Sequence, residues 1–385
     1  MLVVGAGWSG AVLAEQLASR EHKKVLVIDS RNHIGGNCYD YVNEEGIRMS
    51  KYGAHLFHTK RKDVWDYVQQ LGEWVPWEHR VLARVYPHEQ SNEFYYTPVP
   101  ICLPTLKALR LLDPQTATIQ EMTQWIQKET APYQKREQYL NSKESAMARV
   151  GPQLYKWIFQ DYTVKQWAKD PSELAPSVLE RIPVRLSEDG RYFADPYQAL
   201  PRDGYTSLFS QMFARPGITV QTGIDYFAEE HTFRGIETVI FTGAIDRYYS
   251  FANLDKLEYR SIHFEEYKEL LDDPTQTILP ASVVNEPSLR VPYTRTVEYK
   301  HFLCQPAWKS VLVREYTTSD GDPYYPVPNA RNQTLYEKYQ ALAVQESEKQ
   351  RRNIHFVGRL ASYKYMNMDE AIGNALDYYQ RWFNA

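Results

Sequence analysis

The chain has 385 residues, enough to bury a large core and to form two or three structural units of ordinary size. Apolar residues make up 43% of it, and no stretch approaches the roughly 20 consecutive apolar residues of a membrane span, so we expect a soluble globular protein. The net charge of -4 comes from intermingled acidic and basic residues. This charge pattern argues against nucleic acid as a partner and leaves local arginines to hold any anionic ligand.

The first four residues run directly into Gly5 without the basic and apolar regions of a signal peptide, so we expect a cytoplasmic location. The cysteines Cys38, Cys102 and Cys304 lie far apart and lack CxxC or Cys/His spacing. They are predicted to be free thiols, and no metal site is predicted.

The N-terminal segment predicts a βαβ unit. Residues 2–4 form an apolar strand, residues 5–10 a glycine turn, residues 11–19 a helix, and residues 24–28 a second strand followed by Asp29. A parallel, Rossmann-like sheet is the expected setting for such a unit.

The glycine turn reads Gly-Ala-Gly-Trp-Ser-Gly, a GxGxxG motif between a strand and a helix. Such glycines let the backbone approach a pyrophosphate, the helix N-terminus favours negative charge, and the following acid can bind a ribose. The motif predicts a dinucleotide site, with a ligand-free glycine turn as the alternative. Its candidate residues are Gly5, Gly7, Trp8, Ser9, Gly10 and Asp29.

A second glycine-rich turn, Arg-Asn-His-Ile-Gly-Gly-Asn, spans residues 31–37. NAD domains do not usually need it, whereas many FAD proteins resembling the glutathione reductase and amine oxidase group have such an extension. The turn therefore favours FAD over NAD and adds Arg31, Gly36 and Asn37 as cofactor candidates. An ordinary surface turn is the alternative for the glycine pair alone.

The pattern changes further along the chain. Long polar and apolar stretches over residues 106–180 predict helices, and short alternating segments over residues 80–96 and 257–316 predict an antiparallel sheet. Two apolar strands, at 238–241 and 354–357, are each followed by a glycine and indicate returns to the first domain. The predicted fold class is α/β: a discontinuous Rossmann-like FAD-binding domain, a helical insertion domain with a mobile substrate lid, and an antiparallel β-sheet domain. The corresponding ranges are 1–72, 201–247 and 335–385; 100–184; and 73–99, 185–200 and 248–334.

Several further segments, in order and over essentially the whole chain, resemble the UDP-galactopyranose mutase family. They include Tyr-Gly-Ala-His-Leu-Phe-His-Thr at 52–59, Asp-Tyr-Thr-Val-Lys-Gln-Trp at 161–167, Arg-Ile-Pro-Val-Arg at 181–185, Val-Pro-Tyr-Thr-Arg at 291–295, Pro-Tyr-Tyr-Pro at 323–326 and Gly-Arg-Leu at 358–360. One such block could occur by chance, but this many in sequence are highly specific.

The resemblance implies roles for individual residues. Arg181 and Arg295 are expected to hold the substrate diphosphate, and His58 is expected to contact the flavin N5 region through its backbone. The implied substrate contacts are Phe159, Tyr162, Thr163, Trp167, Tyr192, Asn285, Tyr325, Tyr365 and Asn367. The remaining implied cofactor contacts are His55, Leu56, Gly358, Arg359 and Met368. For the aromatic and histidine side chains, an ordinary place in the core is the alternative.

Two residues depart from the family pattern. Asn367 replaces an aspartate that the family commonly has after the second tyrosine of the C-terminal block, so a negative charge is lost there. Glu286 replaces an aromatic residue of several relatives. The segment 162–180 is polar enough to form the lid that would close over the sugar.

The resemblance implies isomerisation of UDP-galactopyranose to UDP-galactofuranose for cell-surface polysaccharide biosynthesis. Reduced FAD would form a covalent adduct between its N5 and the anomeric carbon, with no net redox change and with NAD(P)H or a reductase as electron source. A homodimer is expected by analogy. The alternatives are a mutase for another UDP-sugar, an amine-oxidase-like flavin oxidoreductase, and a non-catalytic nucleotide-sugar binding protein.

Overall fold

A computed structural model describes residues 1–88, 90–134, 138–349 and 353–383. The strands are β1 (Leu2–Val4), β2 (Val25–Asp29), β3 (Asp40–Val42), β4 (Arg48–Ser50), β5 (Phe57–Thr59), β6 (Trp74–Pro76), β7 (Val81–Val85), β8 (Tyr95–Pro98), β9 (Tyr197–Pro201), β10 (Ile218–Thr222), β11 (Thr238–Phe241), β12 (Tyr259–Leu270), β13 (Val283–Asn285), β14 (Arg295–Glu298), β15 (Lys309–Thr318), β16 (Tyr325–Pro326) and β17 (Asn353–Phe356). The α-helices are α1 (Trp8–Ser19), α2 (Lys62–Gln69), α3 (Leu103–Ala108), α4 (Ile119–Thr130), α5 (Ser142–Leu154), α6 (Asp161–Trp167), α7 (Ser177–Glu180), α8 (Tyr205–Phe213), α9 (Ile245–Tyr248), α10 (Ala330–Lys349) and α11 (Met368–Trp382).

The N-terminal βαβ unit lies in a five-stranded parallel sheet of order β10-β2-β1-β11-β17. Helix α1 is buried from Trp8 to Ala18 because it packs between this sheet and other helices, including α11 and α8. The predicted Rossmann-like fold is thus confirmed. Strand β10 was not predicted as a strand, since it lies at the edge of the sheet and its largely exposed residues carry no apolar run.

The second sheet has seven strands in the order β16-β12-β15-β14-β13-β7-β8. Its longest ladder is the antiparallel pairing of β12 with β15, from Ser261 opposite Thr318 to Leu270 opposite Lys309. The sheet is antiparallel as predicted except between β13 and β7, which run parallel because they come from distant segments of the chain.

Helices α3 to α7 form the helical insertion. Thr118 caps α4 by accepting a hydrogen bond from the Glu121 amide, and the Glu121 carboxylate accepts one from the Thr118 amide. The insertion shares a hydrophobic core with the seven-stranded sheet, in which Leu154 and Phe159 pack with Val283 and Val297. The residues at which one unit ends and the next begins stay a prediction.

The chain bends sharply before the helix that carries the Asp-Tyr-Thr motif. Gly151 interrupts α5 with a φ of 76°, and residues Tyr155–Gln160 continue as a π-helix into α6. π-Helical turns are rare and occur frequently at functional sites. In the part of the chain that the structure describes, no helix is both long and apolar enough to cross a membrane.

Alanine substitutions at two glycines can distinguish the cost of a left-handed backbone from the cost of steric crowding. Gly46 (φ 78°) has open space where a Cβ would lie, whereas a Cβ on Gly151 (φ 76°) would lie 2.7 Å from the Glu129 Cβ. We expect Gly46→Ala to cost roughly 1–2 kcal/mol of unfolding free energy for its left-handed backbone alone. Gly151→Ala should cost about 1–3 kcal/mol more because of overpacking. Urea unfolding of both variants measures the difference, and equal losses would contradict this account of Gly151.

Candidate active site

The glycine turn after β1 is held in the shape that the motif predicts. Gly5 has a φ of 113° and donates its amide to the Ile28 carbonyl at 2.8 Å. A Cβ on Gly10 would lie 2.0 Å from the Gly5 carbonyl oxygen, so only glycine lets α1 approach the turn this closely. Trp8 and Ser9 begin α1 and are buried, with the Trp8 ring 4.5 Å from that of Phe209.

Asp29 joins the first glycine turn to the second. Its Oδ2 accepts the Ala6 amide at 2.8 Å and its Oδ1 accepts the Arg31 amide at 2.9 Å. Each carboxylate oxygen has a second lone pair that could accept a ribose hydroxyl.

The two glycine turns lie against each other. The Gly35 amide donates to the Ala6 carbonyl at 2.9 Å, and a Cβ on Gly36 would lie 3.0 Å from the Gly7 Cα. The Arg31 guanidinium binds the Asn37 side-chain oxygen at 2.9 Å. The structure therefore brings together the cofactor candidates of both turns.

The C-terminal candidates return to the same place. A Cβ on Gly358 (φ 99°) would lie 2.7 Å from the Ser9 hydroxyl, which puts the Gly-Arg-Leu segment beside the first glycine turn. Arg359 donates to the carbonyl oxygens of Met366 and Tyr324. Asn367 is the N-cap of α11, so this 15-residue helix begins at Met368 close to Arg359.

Three arginines and a group of tyrosines form the most strongly positive part of the site. The Arg181 and Arg359 guanidinium carbons lie 4.9 and 5.2 Å from the centre of the Tyr365 ring, and Tyr325 stacks on that ring at 5.7 Å. Burial works against ionisation of the Tyr365 hydroxyl, but Arg181 and Arg359, with Arg295 adding to them, outweigh it and lower its pKa. Such a shift in a half-buried tyrosine indicates a site built for an anion.

The remaining partners of this cluster are Tyr162, Tyr192 and Glu315. Tyr162 and Tyr192 both lie close enough to Arg181 to interact with it electrostatically. The Glu315 carboxylate, 1% exposed, accepts the Arg295 Nε at 2.6 Å from the opposite position on the neighbouring strand. This bond orients the guanidinium and leaves its terminal nitrogens for a ligand.

The other predicted substrate residues are divided between this cluster and the core. Asn285 lies opposite Arg295 at the end of β13, and its buried Oδ1 has no hydrogen-bond partner among the described residues. Trp167 lies 6.3 Å from Tyr325, ring to ring. Phe159 and Thr163 are buried, and Phe159 packs in the hydrophobic core shared by the insertion and the sheet, the alternative that the sequence left open.

The histidines of the Gly-Ala-His-Leu-Phe-His segment are held by hydrogen bonds. His55 contacts the Gly53 carbonyl through Nδ1 at 2.8 Å, and burial lowers its pKa to about 4. His58 lies 2.9 Å from the Asp195 carboxylate through Nδ1, and its ring stacks on Phe193 at 3.6 Å. Leu56, between them, packs against the large core.

His79, Phe193 and Asp195 were missed by the sequence interpretation. His79 is 5% exposed, its Nδ1 lacks a partner in the described ranges, and its ring lies 5.8 Å from Tyr192 and 5.9 Å from Phe193. Burial, then Arg295 and His58, lower its pKa to about 3. A lone histidine before a strand gives no pattern to recognise, whereas Phe193 and Asp195 could have been noticed as neighbours of Tyr192.

The described residues contain no group of three or more His, Cys, Asp or Glu side chains placed to hold a metal ion. The three cysteines are free thiols, as predicted.

Comparisons with known proteins agree with this geometry. A family model described as UDP-galactopyranose mutase matches residues 157–365, and one described as an NAD(P)-binding Rossmann-like domain matches residues 3–71. The chain belongs to the UDP-galactopyranose mutase family. The members of this family are isomerases, and the resemblance predicted from the sequence is thereby confirmed.

Two relatives align over nearly the whole chain. The dTDP-fucopyranose mutase of Escherichia coli is 37% identical over 98% of this chain and 96% of its own length. A Klebsiella pneumoniae protein described as a probable UDP-galactopyranose mutase is 35% identical over 98% of this chain and 92% of its own length. A crystal structure of reduced UDP-galactopyranose mutase shares the fold, with a TM-score of 0.73 at 16% identity over 100% of this chain and 93% of that one.

Two histidines with lowered pKa values, His55 and His79, predict how stability depends on pH. In the unfolded chain each imidazole binds a proton near pH 6.5, but in the folded protein the pKa values are about 4 for His55 and 3 for His79. Below pH 6.5 the unfolded state therefore binds more protons than the folded state. As the pH is lowered, the free energy of unfolding decreases by about 1.4 kcal/mol per pH unit for each histidine. His79→Asn should reduce this slope by about 1.4 kcal/mol per unit between pH 6 and 4.5, measured by urea unfolding. Parallel curves for the two proteins would show that His79 is not held neutral.

Proposed function

We propose that this chain converts UDP-galactopyranose into UDP-galactofuranose and that it does so with reduced FAD. The observation that carries the proposal is the group of three arginines, Arg181, Arg295 and Arg359, around Tyr365. Its one carboxylate, Glu315, is bound to Arg295. Guanidinium groups bind phosphate oxygens in pairs, so this group suits the diphosphate of a nucleotide-linked sugar.

The residues of the N-terminal domain fit FAD. The two glycine turns leave no room for a Cβ at Gly10 or Gly36, as expected where a backbone cradles a pyrophosphate. Asp29 has lone pairs for a ribose, and the start of α11 would favour negative charge on a reduced flavin. A bound, reduced FAD would supply a nucleophilic nitrogen for the anomeric carbon of the sugar.

The side chains contribute binding, orientation and charge stabilisation. Negative charge grows on the diphosphate as it leaves the anomeric carbon, and Arg181 and Arg295 are placed to stabilise it. Tyr325 and Tyr365 would donate hydrogen bonds to the same phosphate oxygens. Asn285 would use its free amide oxygen for a substrate hydroxyl, and His58, fixed by Asp195, would present its backbone to the flavin edge.

A second candidate substrate is dTDP-fucopyranose. It is favoured by the 37% identity to the E. coli enzyme over nearly the full chain. The two substrates share the diphosphate and differ in the base, the pentose and the hydroxyl at C6 of the hexose, so the arginine cluster suits both. Asn367, in place of the family aspartate, lies near the Arg359 end of the site, where a lost charge could alter sugar preference.

The finer features stay predictions. NAD(P)H or a reductase would reduce the flavin, the protein would work in the cytoplasm, and two copies would form a homodimer. The mobile lid over residues 162–180 is likewise a prediction that rests on the polarity of this segment, although its residues up to Trp167 belong to helix α6 and are not a loop.

The mutase proposal predicts conversion only when the flavin is reduced. Purified protein is incubated with UDP-galactofuranose or dTDP-fucofuranose, with and without dithionite, and the pyranose product is followed by chromatography. We expect conversion of at least one substrate under reducing conditions and none with oxidised flavin. If FAD and UDP bind but neither sugar reacts, a binding protein is favoured, and Asn367→Asp tests whether the missing carboxylate is the cause.

The diphosphate role predicts the effect of a conservative change at Arg295. Arg295→Lys keeps the charge but loses the paired donors, so we expect kcat/KM to fall by about a hundredfold at little cost in thermal stability. Arg247→Lys is the matched control, since Arg247 forms an exposed ion pair with Asp225 at 2.6 Å on the nucleotide-binding domain. Equal activities of the two variants would remove Arg295 from the proposed mechanism.

A further inference from the structure

The side chain of Lys165 is enclosed by the loop that joins β13 to β14. Its ammonium nitrogen lies between 2.5 and 3.2 Å from four backbone carbonyl oxygens, those of Glu286, Ser288, Val291 and Tyr293. A lysine ammonium has three hydrogens, so the four carbonyls surround it much as ligands surround a metal ion. The charge therefore holds both ends of the loop together.

Predicted substrate contacts from two different units lie on the helix that carries Lys165 and at the two ends of this loop. Helix α6 bears Tyr162, Thr163 and Trp167, and the loop begins after Asn285 and ends before Arg295. Asn285 and Arg295 are opposite each other where the two strands meet the loop. Lys165 thus links the helix that is predicted to contact the nucleotide to the strand that carries Arg295, a predicted diphosphate residue.

Two further bonds fix the same turn of α6 to the sheet. The Thr317 hydroxyl donates to the Lys165 carbonyl, and the Nε of Arg260, a residue only 5% exposed, donates to the Gln166 carbonyl at 3.1 Å. The helix ends at Trp167 and is followed by Ala168, which has a left-handed φ of 52°. These contacts argue that the end of α6 stays on the sheet and that any lid movement starts beyond Trp167.

The charges around the ammonium come from two carboxylates. Glu286 and Asp161 favour the protonated form, but burial outweighs them and lowers the pKa of Lys165 to about 8. Glu286 is itself 2% exposed and pairs with Arg84 at 3.2 Å, with Arg314 nearby. Lys165 is therefore protonated at pH 7 and loses its proton on the way to pH 9.

We propose that Lys165 is a positioning residue: its ammonium, caged by the 286–293 carbonyls, holds α6 in register with Asn285 and Arg295 so that nucleotide and diphosphate contacts form together. The proposal rests on the proposed function for the identity of the ligand. The cage itself can be tested without any ligand.

Lys300 offers a matched control. It is 2% exposed, and its ammonium is bound by three carbonyls, those of Pro274, Gln276 and Ala307, at 2.7 to 2.8 Å. Lys300→Met thus removes a caged lysine that lies just after β14 and away from the predicted substrate contacts. Lys165→Met and Lys165→Arg are compared with it in the FAD-loaded protein.

The first measurement is hydrogen exchange of the 286–293 amides without nucleotide. We expect faster exchange in Lys165→Met than in wild type and no change in this loop in Lys300→Met. The second measurement is UDP affinity by calorimetry. We expect it to weaken on the order of tenfold to a hundredfold in Lys165→Met, because a small displacement of the binding groups on α6 and beside the loop costs much of the binding energy. In Lys300→Met it should be unchanged.

The pH profile distinguishes positioning by charge from simple packing. Wild-type affinity for UDP should weaken by about tenfold from pH 7 to 9, since only about one lysine in ten keeps its proton one unit above its pKa. Lys165→Arg, which stays charged over this range and which we expect to fold, should lose clearly less affinity than wild type. The pKa of Tyr365 in the diphosphate site is also lowered, because Arg181 and Arg359 outweigh its burial, so any loss that remains in Lys165→Arg is assigned to that group.

Each part has an outcome that overturns the proposal. Unchanged loop exchange in Lys165→Met would show that the cage does not hold the loop, whatever the ligand is. Equal losses of UDP affinity in the Lys165 and Lys300 methionine variants, or equal pH profiles of wild type and Lys165→Arg, would reduce Lys165 to a general packing residue. If wild type itself fails to bind UDP, the proposed function falls, while the exchange result still decides the role of the cage.

Discussion

The structure depends on holding three guanidinium groups close together beside one tyrosine, Tyr365. Arg181 comes from the helical insertion, Arg295 from the seven-stranded sheet and Arg359 from the segment after the parallel sheet. Guanidinium groups that lie this close to one another repel, and the low dielectric constant of a partly buried site strengthens the repulsion. The three units must therefore be fixed to one another by other interactions, because the arginines alone would push them apart.

The fold offsets this repulsion by placing electron-rich groups beside the arginines: aromatic ring faces, backbone carbonyl oxygens and one buried carboxylate. Glu315 binds Arg295 on the adjacent strand, Tyr365 and Tyr325 present their rings to the other arginines, and Arg359 is bound by backbone carbonyls. Full neutralisation by carboxylates would leave no attraction for a diphosphate. The balance of three cations and one anion keeps the site attractive for an anionic ligand while the hydrophobic core shared by the insertion and sheet holds it in place.

Lysines contribute to this rigidity through the backbone. Lys165 is half-buried and Lys300 is buried, and both donate hydrogen bonds to backbone carbonyls of loops. Buried carbonyl oxygens without a donor are costly, so such a lysine satisfies several at once at the expense of burying its own charge. The bonds of Lys165 connect the helical insertion to the sheet. Both elements carry predicted substrate residues, so this structural contact also affects the geometry of the candidate active site.

The sequence by itself determined the parts of this protein that depend on neighbours along the chain. The glycine spacing before α1, Asp29 after β2, and the second glycine turn predicted the nucleotide-binding unit, because turns and short strands are set by local backbone requirements. The family motifs predicted Arg181, Arg295 and Tyr365. Only the tertiary structure decided that the Tyr365 ring contacts both Arg181 and Arg359, that Phe159 packs in the core, and that His79 and Asp195 lie beside His58. These residues are brought together from distant segments by packing, and no local pattern records which side chains will share a buried site.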